Sequence, residues 1–222
     1  CLVGMEACAG AHHWGRELNK LGFEVKLMPP QYVKPYVKTN KNDTNDAEAC
    51  AEAVTRPTMR FVSVKSEFQQ ELGQLHRVRE RLVKSRTALV NELRGFLSEF
   101  GVVLAQGRNK LAGKVQEVLF EDKYLLPETC RRTTQRLLDE LSKLEDEIAY
   151  YEKQIGLIAK SQPSCQQLMT ISGVGELSAT AVIAAVGNVE NFKNGRQFAA
   201  FLGLVPRQHS TGGKDRLGRI SK

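Results

Sequence analysis

Lys38-Thr39-Asn40-Lys41-Asn42-Asp43-Thr44-Asn45-Asp46-Ala47-Glu48 sets two carboxylates three residues apart where a helix begins. With Asp43 to Val54 helical, Asp43 and Asp46 share one face, their Cβ atoms about 5–6 Å apart. Two readings fit the pair. In the first, Asp43 caps the helix and Asp46 stands at its third position, a variant of the capping box. In the second, the carboxylates grip metal ions, as in nucleases that hold two ions about 4 Å apart. Taken alone the stretch favours the cap, because paired carboxylates are often structural.

Upstream, residues 1–57 read as α/β. Leu2 to Glu6 is a short apolar strand, and Ala11 to Leu21 has helical spacing that stops at Gly22. Phe23 to Met28 alternates as a second strand closed by Pro29-Pro30, and such a β-α-β unit makes a right-handed crossover between parallel strands. The helix from Asp43 ends near Pro57.

Downstream the period changes. Phe68, Leu72, Leu75, Arg79, Leu82, Arg86, Leu89, Leu93, Phe96 and Phe100 alternate four- and three-residue steps, a heptad seam on a helix about 50 Å long. A second seam runs Leu137, Leu141, Leu144, Ile148, Tyr151, Ile155, Ile158. The two predict an antiparallel coiled-coil hairpin joined by a less regular 101–130. Core packing explains the apolar stripes. Arg77, Arg79, Arg81, Lys84 and Arg86 add a basic density able to follow a phosphate backbone, although a solvated face explains any one of them.

From 161 onward, Ile171-Ser172-Gly173-Val174-Gly175 leads into an apolar helix, Leu177 to Val186, and a second follows from Gly195 to Leu202. Glycines before a helix expose N–H groups that bind phosphate. The turn resembles that of helix-hairpin-helix modules, with Gly173 and Gly175 against the backbone; tight helix packing calls for glycine equally well. After Pro206 the chain turns polar, Arg207-Gln208-His209-Ser210-Thr211-Gly212-Gly213-Lys214-Asp215-Arg216. This is not a Walker A loop. On composition alone it reads as a mobile surface loop.

The whole chain has 222 residues, 41% hydrophobic and 26% charged, with a net charge of +7. That suffices for a core and favours a polyanionic partner. Cys1, Cys8, Cys50, Cys130 and Cys165 form no C-x-x-C pair, which argues against a zinc site or a disulfide framework and for a reducing cytoplasm. No apolar run reaches membrane-spanning length. The chain opens without Met in a strand-like run and stops at Ile220-Ser221-Lys222, so a piece of a longer protein is expected. Divisions fall at 1–60, 61–160 and 161–222.

Four stretches in order, Val3-Gly4-Met5-Glu6-Ala7-Cys8, Asn42-Asp43-Thr44-Asn45-Asp46-Ala47, Ile171-Ser172-Gly173-Val174-Gly175, and Phe198 through Arg207 to Lys222, resemble the insertion-sequence transposases of the IS-one-ten type. These DEDD transposases are bridge-RNA-guided recombinases. The resemblance implies an α/β plus α fold class: a RuvC-like domain of RNase H fold, antiparallel coiled-coil helices, and a small helical C-terminal transposase domain carrying a serine. It implies a tetrad of Asp, Glu, Asp, Asp in which Glu6, Asp43 and Asp46 are the second to fourth members. The first belongs to an opening strand that this chain lacks, so an inactive fragment is expected. The nucleophile falls in Ser210-Thr211-Gly212-Gly213. Counting from Pro206 points to Thr211 and counting back from Ser221 to Ser210; the β-branch of threonine hinders attack, which selects Ser210.

The chemistry so implied is strand cutting and rejoining. Mg²⁺, or Mn²⁺, sits on the carboxylates, and Ser210 forms a covalent link to DNA. Lys214, Arg216 and Arg219 hold backbone near the serine. His209 is a proton shuttle or an exposed loop histidine. The implied partners are donor and target DNA, a structured noncoding guide RNA, and further copies in a homodimer or homotetramer. A Holliday-junction-type metal nuclease, or a non-catalytic nucleic-acid-binding coiled-coil protein, are the alternatives.

Overall fold

The computed structural model describes residues 1–38, 42–105, 107, 111–120 and 126–220. Thr39, Asn40 and Lys41 of the helix approach, and Ser221 and Lys222 of the tail, lie outside the described residues. The chain divides into two compact units, Cys1–Val64 with Val186–Lys222, and Lys65–Ala185.

In the first unit, strand β1 (Leu2–Glu6), helix α1 (Ala11–Lys20) and strand β2 (Glu24–Met28) form the expected crossover. The strands pair in parallel, with Leu2 opposite Glu24 and Glu6 opposite Met28. Parallel neighbours cannot be joined by a tight hairpin, so α1 makes the return. Helix α2 (Pro30–Val33) starts on a proline, whose missing N–H costs nothing there, and runs into a 3₁₀ turn, Lys34–Tyr36. Helix α3 (Asp43–Val54) then packs on the strands. Its apolar face is made of small residues, and Ala49 and Ala53 are buried in one cluster with Met28, Val33 and Val54. That small face lets the helix axis approach the sheet. The approach is closest at Gly4, where an added Cβ would lie 2.7 Å from Val54 Cβ. Only glycine fits.

In the second unit, helix α4 (Glu67–Ser98) opens with a full capping box: the Gln69 N–H donates to Ser66 Oγ and the Ser66 N–H to Gln69 Oε1, at 3.1 and 3.0 Å. Helices α5 (Leu111–Phe120) and α6 (Glu128–Ser161) follow. Arg79 meets Glu152, while Leu89, Leu93 and Leu97 share a cluster with Leu138, Leu141 and Val115. The early part of α4 therefore faces the late part of α6, and the pair is antiparallel. The expected seam drifts. Phe96 and Phe100 are 45% and 42% exposed, and Leu97 is fully buried in their place. A straight helix of 3.6 residues per turn rotates about 20° per heptad away from a 3.5 repeat. Helix α5 was not expected from the irregular 101–130; its Leu111, Val115, Val118 and Leu119 complete this cluster.

Helices α7 (Pro163–Met169) and α8 (Glu176–Ala185) meet through Cys165, Ala179 and Ala159. Thr180, fully buried, donates to the Glu176 carbonyl at 2.7 Å and lies 3.0 Å from His76 Nε2, fastening α8 to α4. Back in the first unit, helix α9 (Gly195–Phe201) is capped by Asn194, and Phe192 packs edge-on against Phe198 and Phe201. Strands β3 (Pro206–Gln208) and β4 (Leu217–Ile220) close the described chain. Among the described residues no helix is long and apolar enough to cross a membrane.

Candidate active site

Helix α3 runs antiparallel to β1. Val54 sits over Gly4 and Cys50, one turn earlier, sits beside Glu6. The start of α3 is thereby carried to the carboxyl end of β1, the edge where open α/β sheets place their ligands. Burial pushes the Cys50 thiol up, and the Glu6 and Asp46 carboxylates push it further; a backbone hydrogen bond at Glu6 works against them. Glu6 and Asp46, forty residues apart in sequence, therefore act on one thiol.

The expected cap is corrected by one residue. Asn42 is the N-cap, extended at φ −153° and ψ 162°, and its Oδ1 accepts the Asn45 N–H at 2.7 Å. Asp43 and Asp46 are the first and fourth helical residues, so neither carboxylate is needed for capping. Both still favour the helix by standing in its positive first turn. On the flank of α3, Lys38 pairs with Glu48 at 3.0 Å and Glu52 at 3.6 Å, and Glu48 first among them raises its pKa.

No group of three or more His, Cys, Asp or Glu that could hold a metal ion occurs among the described residues. Glu6 and Asp46 both bear on the Cys50 thiol, and Asp43 stands three residues before Asp46 in the first turn of α3. A cation such as Mg²⁺ is commonly bound through one or two carboxylates while water and substrate phosphate fill its remaining positions. Carboxylate oxygens are the donor type such a cation takes, and among the described residues they form no closed cage.

The polar stretch after Pro206 is a β-hairpin and not a loop. Pro206 pairs with Ile220, Gln208 with Leu217, and Thr211 with Lys214. Gly212 and Gly213 take φ of +57° and +74°, the two left-handed positions of a type I′ turn, and the Lys214 N–H donates to the Thr211 carbonyl at 3.1 Å. This turn places Ser210 across from Asp215. Ser210 Oγ donates to Asp215 Oδ1 at 2.8 Å, and Gln208 Nε2 donates to Ser210 Oγ at 2.8 Å and to Asp215 Oδ1 at 3.1 Å. The three side chains close a triangle on an exposed surface. Asp215 and Gln208 were not among the expected site residues. The Gly212-Gly213 pair was the available signal, since a two-residue turn there puts positions 210 and 215 opposite each other. Arg207, Lys214, Arg216 and Arg219 are exposed on the same hairpin. The expected His209 is exposed too, its N–H donating to the Arg216 carbonyl at 2.9 Å.

The helical arginines separate into two sets. Arg77, Arg81 and Lys84 form an exposed stripe on α4, with Lys84 2.6 Å from Glu80. Arg79 is turned to α6, where its Nε donates to Glu152 at 2.9 Å, and Arg86 is half-buried. Gly173, at φ +88°, and Gly175 lie in the turn between α7 and α8.

Two family models match the chain: one of IS110-type DEDD transposases, described as Transposase, over residues 1–102, and one described as Transposase IS116/IS110/IS902 family over residues 165–222. All 222 residues align with curated relatives. The chain is 51% identical to a probable family 20 transposase of Pseudomonas aeruginosa, spanning 66% of it. It is 46% identical to the transposase for insertion sequence element IS1111A of Coxiella burnetii, spanning 61%. It is 40% identical to the transposase for IS1328 of Yersinia enterocolitica, spanning 66%. The chain thus covers about two thirds of the length of these relatives, or slightly less. One family's signatures fall on both the carboxylate-bearing segment and the serine-bearing hairpin: the chain belongs to the IS116/IS110/IS902 transposase family.

Proposed function

We propose that this chain cuts and rejoins DNA strands in the transposition of an insertion sequence, with Ser210 as nucleophile and Glu6, Asp43 and Asp46 as ligands of a divalent metal. The observation that carries this reading is the 2.8 Å hydrogen bond from Ser210 Oγ to Asp215. A serine hydroxyl is a weak nucleophile until a base takes its proton. Here the proton is already directed at a carboxylate, and Gln208 fixes the hydroxyl from the other side.

In the step so formed, Ser210 Oγ bonds to the scissile phosphorus while the bond from phosphorus to the leaving deoxyribose oxygen breaks. The serine proton passes to Asp215, which returns it to the departing oxygen. The serine phosphodiester conserves the bond energy, and an incoming deoxyribose hydroxyl later displaces the serine to rejoin the strand. Arg207, Lys214, Arg216 and Arg219 hold the flanking phosphates. A divalent ion, Mg²⁺ or Mn²⁺, when bound at the carboxylates, supplies polarisation of the phosphoryl oxygens.

The finer picture follows the family resemblance. The first segment is a RuvC-like domain, α4 and α6 form a coiled coil serving a homodimer or homotetramer, and a guide RNA selects the DNA by base pairing. The exposed Arg77-Arg81-Lys84 stripe and the turn at Gly173 and Gly175 support this as phosphate-binding surface without base-reading side chains.

The test is an SDS-resistant protein–DNA adduct formed on element-end DNA with Mg²⁺. Ser210→Ala abolishes it and Thr211→Ala leaves it. Strand cutting that persists in Ser210→Ala with no adduct formed by the unaltered protein indicates the metal-nuclease reading instead. Transposition unchanged by Asp43→Asn with Asp46→Asn indicates a non-catalytic binding protein.

A further inference from the structure

An open pocket of about 420 Å³ lies where the 3₁₀ turn Lys34–Tyr36 meets the segment after α3, lined by Tyr32, Pro35, Tyr36, Thr58, Met59 and Arg60. Its position follows from local structure. Tyr32 and Tyr36 are four residues apart on one continuous helical stretch, so both rings emerge on the same side. Tyr36 is anchored from below by the buried cluster of Met28, Val33 and Ala53, while Tyr32 is 38% exposed. The guanidinium of Arg56 lies 5.6 Å from the centre of the Tyr36 ring, and Glu52 pairs with that guanidinium to hold it there.

We propose that this pocket takes an unpaired nucleobase of a DNA strand, with the adjoining phosphate on Arg60. Two aromatic rings and a proline offer flat apolar faces, and stacking on such faces accepts any base because every base has a π-face. Thr58 supplies one hydroxyl that both donates and accepts, which suits any base edge without selecting among them. The volume decides the size of the guest. It falls in the range of small-molecule pockets, about 300–1,000 Å³, enough for one nucleotide and far too little for a base pair within a duplex. A base still in its stack cannot reach such a pocket without being flipped out. Arg56, Arg60 and Lys34 make the surroundings basic, and of these Arg56 is already neutralised by Glu52. The pocket stands just past the C-terminal end of α3 and Asp46 near its N-terminal end; the eight residues from Asp46 to Val54 correspond to about 12 Å of helix. A strand melted near a cutting site is therefore within reach of both. This assignment rests on the proposed DNA chemistry for its ligand, and on the pocket's own lining for its location.

The experiment is a binding titration with a twelve-nucleotide DNA carrying 2-aminopurine at one position, read by the probe's fluorescence and requiring no cutting. The unaltered protein quenches the probe. Tyr32→Ala and Tyr36→Ala each weaken single-strand binding about tenfold, Tyr36→Trp restores it, and binding of the same sequence as a duplex is unaffected. Tyr32→Ala keeps the test sound if Tyr36→Ala unfolds the protein, because the Tyr32 ring lies outside the buried cluster. Equal single-strand affinity in Tyr32→Ala and the unaltered protein, or an unquenched probe, overturns the pocket. Tenfold tighter binding of the matching RNA, lost in the same variants, overturns the assignment to DNA. If the covalent adduct forms while the tyrosine variants bind normally, the pocket alone is wrong. If the tyrosines matter and no adduct forms, the cutting reading fails and the pocket stands.

Discussion

The carboxylates and the serine are presented by opposite kinds of structure. Glu6 and Asp46 stand on a strand and a helix locked together by packing, with Ala49 and Ala53 buried and Val54 pressed on Gly4. Ser210 stands on a hairpin whose strand residues are all exposed, held by ladder hydrogen bonds, a two-glycine turn and the Gln208–Ser210–Asp215 triangle. One region owes its geometry to excluded volume and the other to polar contacts. Substitutions in the two should therefore fail differently, the first through stability and the second through chemistry alone.

The largest expected effect is on the hairpin. Asp215→Asn removes the proton acceptor and keeps the shape, and should slow adduct formation by about 100-fold or more. The thermal midpoint should stay unchanged, because nothing in the hairpin is buried. A drop in midpoint matching the loss of adduct would instead make the triangle structural and erase the contrast.

The packed region should respond the other way. Gly4→Ala places a methyl 2.7 Å from Val54 Cβ and should destabilise the first unit by about 1–3 kcal/mol. Denaturant unfolding checks this, and adding Val54→Gly, which removes the clashing Cβ, should return part of the loss, since residues in contact couple. Additive effects of the two changes would show that Gly4 is not where α3 meets the sheet.

The same contrast explains what could be read from the sequence. The strand–helix–strand unit and α3 declared themselves through apolar period and proline stops, because burial leaves a periodic trace. The apolar positions of α6, and those of α4 through Leu93, were legible; the seam of α4 was misplaced only at Phe96 and Phe100, where a real helix drifts from a strict heptad and α5 recruits Leu97 instead. The cap fell on Asn42 and not Asp43 because asparagine and aspartate cap about equally well; the choice is made by where the backbone turns extended, which side-chain type does not reveal. The hairpin carries almost no apolar alternation, so composition made it look like a loop. Its Gly212-Gly213 pair was the one legible mark, and with it the partnership of Ser210 and Asp215. That Glu6 and Asp46 bear on one thiol could not be read from periodicity, being set by the depth at which α3 packs on β1; only the family resemblance grouped the two.

The most direct measurement is to trap the protein on element-end DNA, digest both, and locate the nucleotide remnant by mass spectrometry. A phosphonucleotide on Ser210, absent when Mg²⁺ is chelated, is the predicted result. A remnant on Thr211 or any other residue, or cut DNA with no remnant on the protein, would contradict it.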